Sequence, residues 1–218
     1  MRQPTPTPTA TPIPNPLRRT LAAGFVLAPA LLMGRRALAE APRRATPIQS
    51  AGPYYPHELP PDHDGDLLRN AQLVYNRGQA AWVEGVVTDL QGKPVRGAQV
   101  EIWQCDEAGH YHHPSDGNRA DPAFQGFGRV AVDNDGRYRF RTIRPAPYSG
   151  RTPHIHVKVK LSGRTLLTTQ LYVLGEPGNS RDRLWRSLGD DAARAALTVA
   201  FEPVADGLRA SFPIVLGL

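Results

Sequence analysis

Arg151-Thr152-Pro153-His154-Ile155-His156-Val157-Lys158-Val159-Lys160 alternates strictly from His154 onward. A strand read from this pattern puts Ile155, Val157 and Val159 on one face and His154, His156, Lys158 and Lys160 on the other. Side chains two apart on a strand begin roughly 7 Å apart, so both imidazoles point the same way and can converge on one metal ion. Pro153 has no N–H to give to a ladder and so marks the beginning of the strand, at a sheet end where a site can open to solvent. A His-x-His pair on a polar strand face is also an ordinary solvated pattern, so the metal reading needs partners elsewhere in the chain.

The same short alternation surrounds this stretch. Trp82 to Thr88, Ala98 to Gln104, Arg137 to Thr142, Ile155 to Lys160, Thr165 to Val173, Leu197 to Phe201 and Ala210 to Val215 read as strands. Asp133-Asn134-Asp135-Gly136 reads as a hairpin turn. Asp182 to Leu188 and Asp190 to Ala196 carry the only helical patterns, each opened by an acidic cap. Many strands with one or two short helices predict a mostly β fold, an antiparallel β-sandwich, over residues 81–218. Residues 40–80 are Pro-rich and polar and predict an irregular N-terminal arm lying over the domain surface, with at most one helical turn near Leu67.

Residues 1–39 have a different character. A Pro/Thr-rich start precedes Leu17-Arg18-Arg19, then an apolar run from Leu21 to Met33, then Ala37-Leu38-Ala39. Basic, apolar and small-residue regions in that order predict an export signal cleaved after Ala39, with Arg18-Arg19 resembling a twin-arginine leader. The run is too short to span a bilayer comfortably and Pro29 interrupts it, so no stable membrane insertion of the mature chain is expected. The formal net charge of the 218 residues is +6, which invites a nucleic-acid reading. Arg2, Arg18, Arg19, Arg35 and Arg36 all precede the first acidic residue, Glu40, so removing the leader lowers the charge by five to +1. A near-neutral domain gives no reason to expect a nucleic-acid partner. Cys105 is the single cysteine, which excludes an intrachain disulfide and any cysteine-based metal cluster.

Two tyrosine stretches offer partners for the histidines. One runs from Trp103 to Gly109-His110-Tyr111-His112-His113; the other is Thr142-Ile143-Arg144-Pro145-Ala146-Pro147-Tyr148, just ahead of Arg151. A trivalent ion strips a phenol proton readily, and two phenolates with two neutral imidazoles form a hard, anionic site that favours ferric iron. His110, His112 and His113 form a rival set, with solvated or supporting roles preferred.

These residues resemble the intradiol ring-cleavage dioxygenases, the family of the catechol and protocatechuate dioxygenases. The matching pieces include Gly52-Pro53-Tyr54-Tyr55-Pro56, Val95 to Gln104, Gly109-His110-Tyr111, Phe124 to Arg129, Tyr138 to Pro145, Arg151 to His156 and Thr169 to Tyr172, in the family's order. The resemblance implies one non-haem Fe3+ held by Tyr111, Tyr148, His154 and His156, with Tyr148 leaving the metal when substrate binds. It implies a catechol-type diol and dioxygen as substrates, a cis,cis-muconate-type product, Arg151 as a catalytic cation, and Gln170 at the substrate pocket; Tyr54 and Tyr55 read equally as lining the pocket mouth or as packing anchors for the arm. A homo-oligomer is left open. Ser149-Gly150-Arg151-Thr152-Pro153 is shorter than the corresponding loop of the well-known enzymes, and the long helical N-terminal region of the catechol enzymes is absent, so pocket walls are missing. Two other readings compete: a non-catalytic prealbumin-like or carbohydrate-binding sandwich, and a zinc or copper site with hydrolytic or oxidase chemistry.

Overall fold

The computed structural model describes residues 43–218; the leader read in residues 1–39 lies outside the described residues. Short strands β1 (Arg69–Asn70) and β2 (Leu73–Val74) pair within the N-terminal arm. The sandwich strands follow as β3 (Ala80–Thr88), β4 (Gln99–Trp103), β5 (Phe127–Ala131), β6 (Arg137–Ile143), β7 (His154–Leu161) and β8 (Arg164–Val173). Two short helices, α1 (Arg183–Arg186) and α2 (Asp191–Leu197), precede β9 (Thr198–Val199), β10 (Glu202–Val204), β11 (Gly207–Ser211) and β12 (Ile214–Val215).

One five-stranded sheet has the order β5-β4-β7-β8-β9; in the other, β10-β11-β3-β12, β6 also pairs with β3. Their apolar faces form a common core that includes Val83, Phe140, Val100, Ile102, Ile155, Val157, Val159 and Leu171. The alternation of β7 is therefore as its sequence predicts, with Ile155, Val157 and Val159 inward. β7 and β8 form a tight hairpin through Ser162 and Gly163, both at positive φ (49° and 78°), as a two-residue type I′ turn requires.

Several local expectations are corrected. The Asp133–Gly136 turn reverses the chain, with Gly136 at φ 77°, but it joins β5 of one sheet to β6 of the other and so is no hairpin. Turn chemistry fixes a reversal; which partner each strand takes is settled by the faces it must bury. β11 and β12 each pair in parallel with β3, and β9 with β8, while the remaining strand pairs, β10 with β11 among them, are antiparallel. Helix α2 runs through Leu197, so only Thr198–Val199 of the predicted 197–201 strand forms, and Phe212-Pro213 splits the predicted last strand. Both helices carry the expected caps: Asp182 accepts from the Leu184 and Trp185 amides, and Asp190 from that of Ala193.

The arm does more than lie over the surface. Leu67 sits in a turn, not a helix, and is fully buried in the common core with Tyr75. Further back, Thr46 N donates to Val215 O and Gln49 N to Thr168 O, which ties residues 46–49 to β12 of one sheet and β8 of the other.

Candidate metal centre

The two histidines share the face of β7 turned away from the core. Register places Trp103 on β4 and Gln170 on β8 on either side of His156, and Tyr172 beside His154. Both histidines are 0% exposed, contrary to a site opening directly to solvent, because the arm roofs them. A Cβ on Gly52 would stand 3.2 Å from His156 Cε1, and Gly52 sits at φ 69°, so glycine lets the arm pass this close. Tyr54 stacks on Tyr111, with ring centroids 4.5 Å apart. Tyr55 donates from its hydroxyl to the buried Glu101 at 2.9 Å, while Lys158 Nζ lies 3.0 Å from the centroid of its ring.

Tyr111 and Tyr148 come from separate loops to the same place. Tyr148 Oη is 3.3 Å from His154 Nε2, which is 3.2 Å from His156 Nε2. The Tyr111 ring lies 5.0 Å from that of Tyr148 and 6.4 Å from that of His156, and its buried hydroxyl has no hydrogen-bond partner. The Nδ1 of His154 is 2.7 Å from Thr152 O. A carbonyl can only accept, so Nδ1 carries the proton and Nε2 turns its lone pair toward Tyr148 and His156. His156 is held by a parallel stack on Trp103, with ring centroids 4.8 Å apart and planes 6° apart.

Electrostatics suit this donor set. Burial holds His154 uncharged, with its pKa lowered to about 3, and the nearby Arg151 adds to that effect. Burial also holds His156 well below the usual imidazole range, with help from His154 and Arg151. Burial also raises the phenols of Tyr111 and Tyr148, so in the protein alone both stay protonated and only a strong local cation would remove their protons. Two neutral imidazoles and two phenols, one of them the orphaned buried hydroxyl of Tyr111, fit a hard metal ion; the 3.2–3.3 Å separations suit ligands about 2.0–2.1 Å from one centre. Among the described residues no cluster of three His, Cys, Asp or Glu could hold a metal ion, so the tyrosines are what complete the set.

Arg151 stands beside it, half-buried. Its Nε donates to Asp182 Oδ2 at 2.7 Å and a terminal nitrogen to Gln170 Oε1 at 2.7 Å. Gln170 is buried, and its amide nitrogen donates to Ser50 O, so both ends of this side chain are engaged. An open groove of about 550 Å³ lies between the Tyr148–Pro153 loop and residues 176–181. No atom outside the loop comes within 4 Å of a Cβ built on Gly150, so the tip of this short loop stands in open space. A smaller cavity of about 200 Å³ lies on the other side, against Tyr54, Trp103 and Tyr111.

The rival histidines do not assemble. His110 faces Asp116, His112 meets the Phe124 carbonyl, and His113 accepts from Ser115 N to cap a 3-10 turn. Cys105 is buried, its thiol pushed up to about 12 chiefly by desolvation. Sequence reasoning missed the stack of Trp103 and the anchoring carboxylates of Glu101 and Asp182. Asp182 was legible only as a helix cap, and cross-strand register, which pairs Trp103 with His156, has no signal in a single strand.

Fold and donor set define a β-sandwich with a two-tyrosine, two-histidine centre at one sheet end. The family model described as Dioxygenase matches residues 50–217, well over half of the chain, and the chain belongs to the intradiol ring-cleavage dioxygenase family. It is 34% identical over 157 residues to a hydroxyquinol 1,2-dioxygenase of Corynebacterium glutamicum, covering 63% of this chain and 49% of that protein. To the protocatechuate 3,4-dioxygenase beta chain of Burkholderia cepacia it is 40% identical over 151 residues, covering 63% of each. The chain thus spans less than two thirds of the length of these relatives. Among solved structures, the dioxygenase domain of a dioxygenase carbohydrate-binding protein fusion from Streptomyces sp. SirexAA-E superposes with a TM-score of 0.64 at 33% identity, covering 80% of this chain and 99% of that one.

Proposed function

We propose that this protein is a ferric, non-haem dioxygenase that opens the ring of a catechol-type diol between its two hydroxyl-bearing carbons, using dioxygen and giving a cis,cis-muconate-type product. The observation that carries the reading is the buried convergence of Tyr148 Oη, His154 Nε2 and His156 Nε2 beside the partnerless hydroxyl of Tyr111. Ferric iron bound by these four side chains would supply Lewis acidity toward the two diol oxygens.

The chain's own residues do the rest. His154 and His156 are neutral at working pH and so available as ligands without losing a proton first. Tyr148 borders the open groove, so its oxygen, once the phenol proton had been given up to bind the metal, would be the group placed to take a proton from an arriving diol hydroxyl and return to the neutral phenol. Arg151, held from two sides, keeps a fixed positive charge near the ring where negative charge develops, and a charge already oriented costs no reorganisation. Tyr54 and Gly52 keep bulk water off the histidines, which strengthens each of these interactions. The basic, apolar and small-residue order of residues 17–39 supports export to the periplasm or beyond, with a mature chain starting at Glu40.

Iron-loaded protein tests the reading by oxygen uptake against a panel of catechols, with product absorbance followed in the ultraviolet. A wine-red phenolate-to-iron band is expected; Tyr148→Phe shifts it and slows turnover, and His156→Ala abolishes iron binding. A colourless protein without oxygen uptake would favour the non-catalytic sandwich, and an unchanged spectrum in both variants would remove the ligand assignment.

A further inference from the structure

We propose that Asp182 is a positioning residue, which fixes Arg151 beside the metal centre and, through the backbone of Thr152, sets the imidazole of His154. Its side chain is wholly buried, and its two oxygens divide the work. Oδ1 accepts from Leu184 N at 2.9 Å and Trp185 N at 3.0 Å, closing the first turn of α1. Oδ2 accepts from Arg151 Nε at 2.7 Å and from Thr152 N at 3.1 Å. The Thr152 carbonyl in turn meets His154 Nδ1 at 2.7 Å. One carboxylate therefore connects a helix start to the candidate cation and to the proton that fixes a ligand tautomer.

The surroundings leave this loop little freedom. Thr152 Oγ1 donates to Asn179 Oδ1 at 2.8 Å, and a Cβ on Gly178 would come within 2.8 Å of that Oγ1. A helix cap alone needs one oxygen and any of Ser, Thr, Asn or Asp. Capping alone does not account for the second oxygen, aimed at a guanidinium and a backbone amide of the site loop. A buried charge facing a guanidinium through a short N–H···O bond is also the arrangement that holds a planar side chain in one orientation.

The inference rests on the proposed role of Arg151, and the test separates the two. Asp182→Asn and Asp182→Ser both retain a capping oxygen and remove the charge. In iron-loaded protein with catechol, each lowers kcat by about 10- to 100-fold, as expected of groups that orient a site from behind it. KM stays within threefold, because the lost interaction belongs to the transition state. In metal-free protein, the 1H–15N signal of Arg151 Nε–H, assigned by its absence in Arg151→Lys, is present in the wild type and lost to exchange in both variants. The proposal is overturned if that signal persists unshifted, if kcat stays within twofold, or if activity falls only in proportion to the folded fraction. If the wild type turns over no catechol, the dioxygenase reading fails while the Arg151 signal still decides the pairing.

Discussion

Glu101→Gln tests how the arm is clamped over the site. Glu101 on β4 is wholly buried, and its Oε1 accepts from Arg129 Nε at 2.9 Å, Arg129 Nη2 at 2.6 Å and Lys160 Nζ at 3.1 Å. Its Oε2 accepts from Tyr55, the arm residue that packs edge-on to Trp103. Removing one partner of a buried ion pair costs about 3–5 kcal/mol. Here Arg129 and Lys160 keep 22% and 21% of their side chains exposed, and glutamine still offers one acceptor, so the expected cost is lower, about 2–3 kcal/mol. At about 2–4 °C per kcal/mol for a domain of this size, the midpoint falls by about 4–12 °C. Differential scanning calorimetry of metal-free protein measures it, and amide exchange at Tyr54 and Tyr55 should quicken in parallel. In a double-mutant cycle, Arg129→Gln should cost at least about 1 kcal/mol less in the Glu101→Gln background than in the wild type. A midpoint shift below about 2 °C, or full additivity in the cycle, refutes the clamp.

Two further predictions follow from burial and charge. Leu67→Ala, in the arm but 0% exposed within the common core, should cost about 2–5 kcal/mol in urea unfolding; a loss under 0.5 kcal/mol, within the usual range for surface changes, would return the arm to the surface. Stability should fall with acid: burial opposes ionisation of Glu101, yet its bonds from Lys160, Arg129 and Tyr55 leave its pKa lowered, and Arg151 does the same for Asp182. A carboxylate depressed in the folded state stabilises above its unfolded pKa, so this contribution is present at pH 7 and lost as pH falls through about 4 and below. His154 and His156, kept neutral by burial, add loss from about pH 6.5 downward in metal-free protein. Urea midpoints at pH 7, 5 and 3.5 read the sum, and the gap between wild type and Glu101→Gln should narrow at the lowest pH; a constant gap contradicts the lowered Glu101 value.

The period of two in residues 154–160 was enough to put two imidazoles on one strand face and three aliphatics on the other, because strand geometry leaves no other choice. Acidic caps at Asp182 and Asp190 located both helices for a similarly local reason. Ordered motifs from Gly52 to Tyr172 were legible as a family, and with it Tyr111 and Tyr148 as candidate ligands. Tertiary structure alone decided that the histidines are buried, since Gly52 and Tyr54 reach them only after about a hundred residues of chain have folded back. It alone decided that the Asp133–Gly136 turn changes sheets, that Trp103 stacks on His156, and that one oxygen of Asp182 turns from its helix to Arg151. Local sequence fixes dihedral preference and facing; contacts between distant segments depend on which surfaces the whole chain must bury together, and no single stretch contains that information.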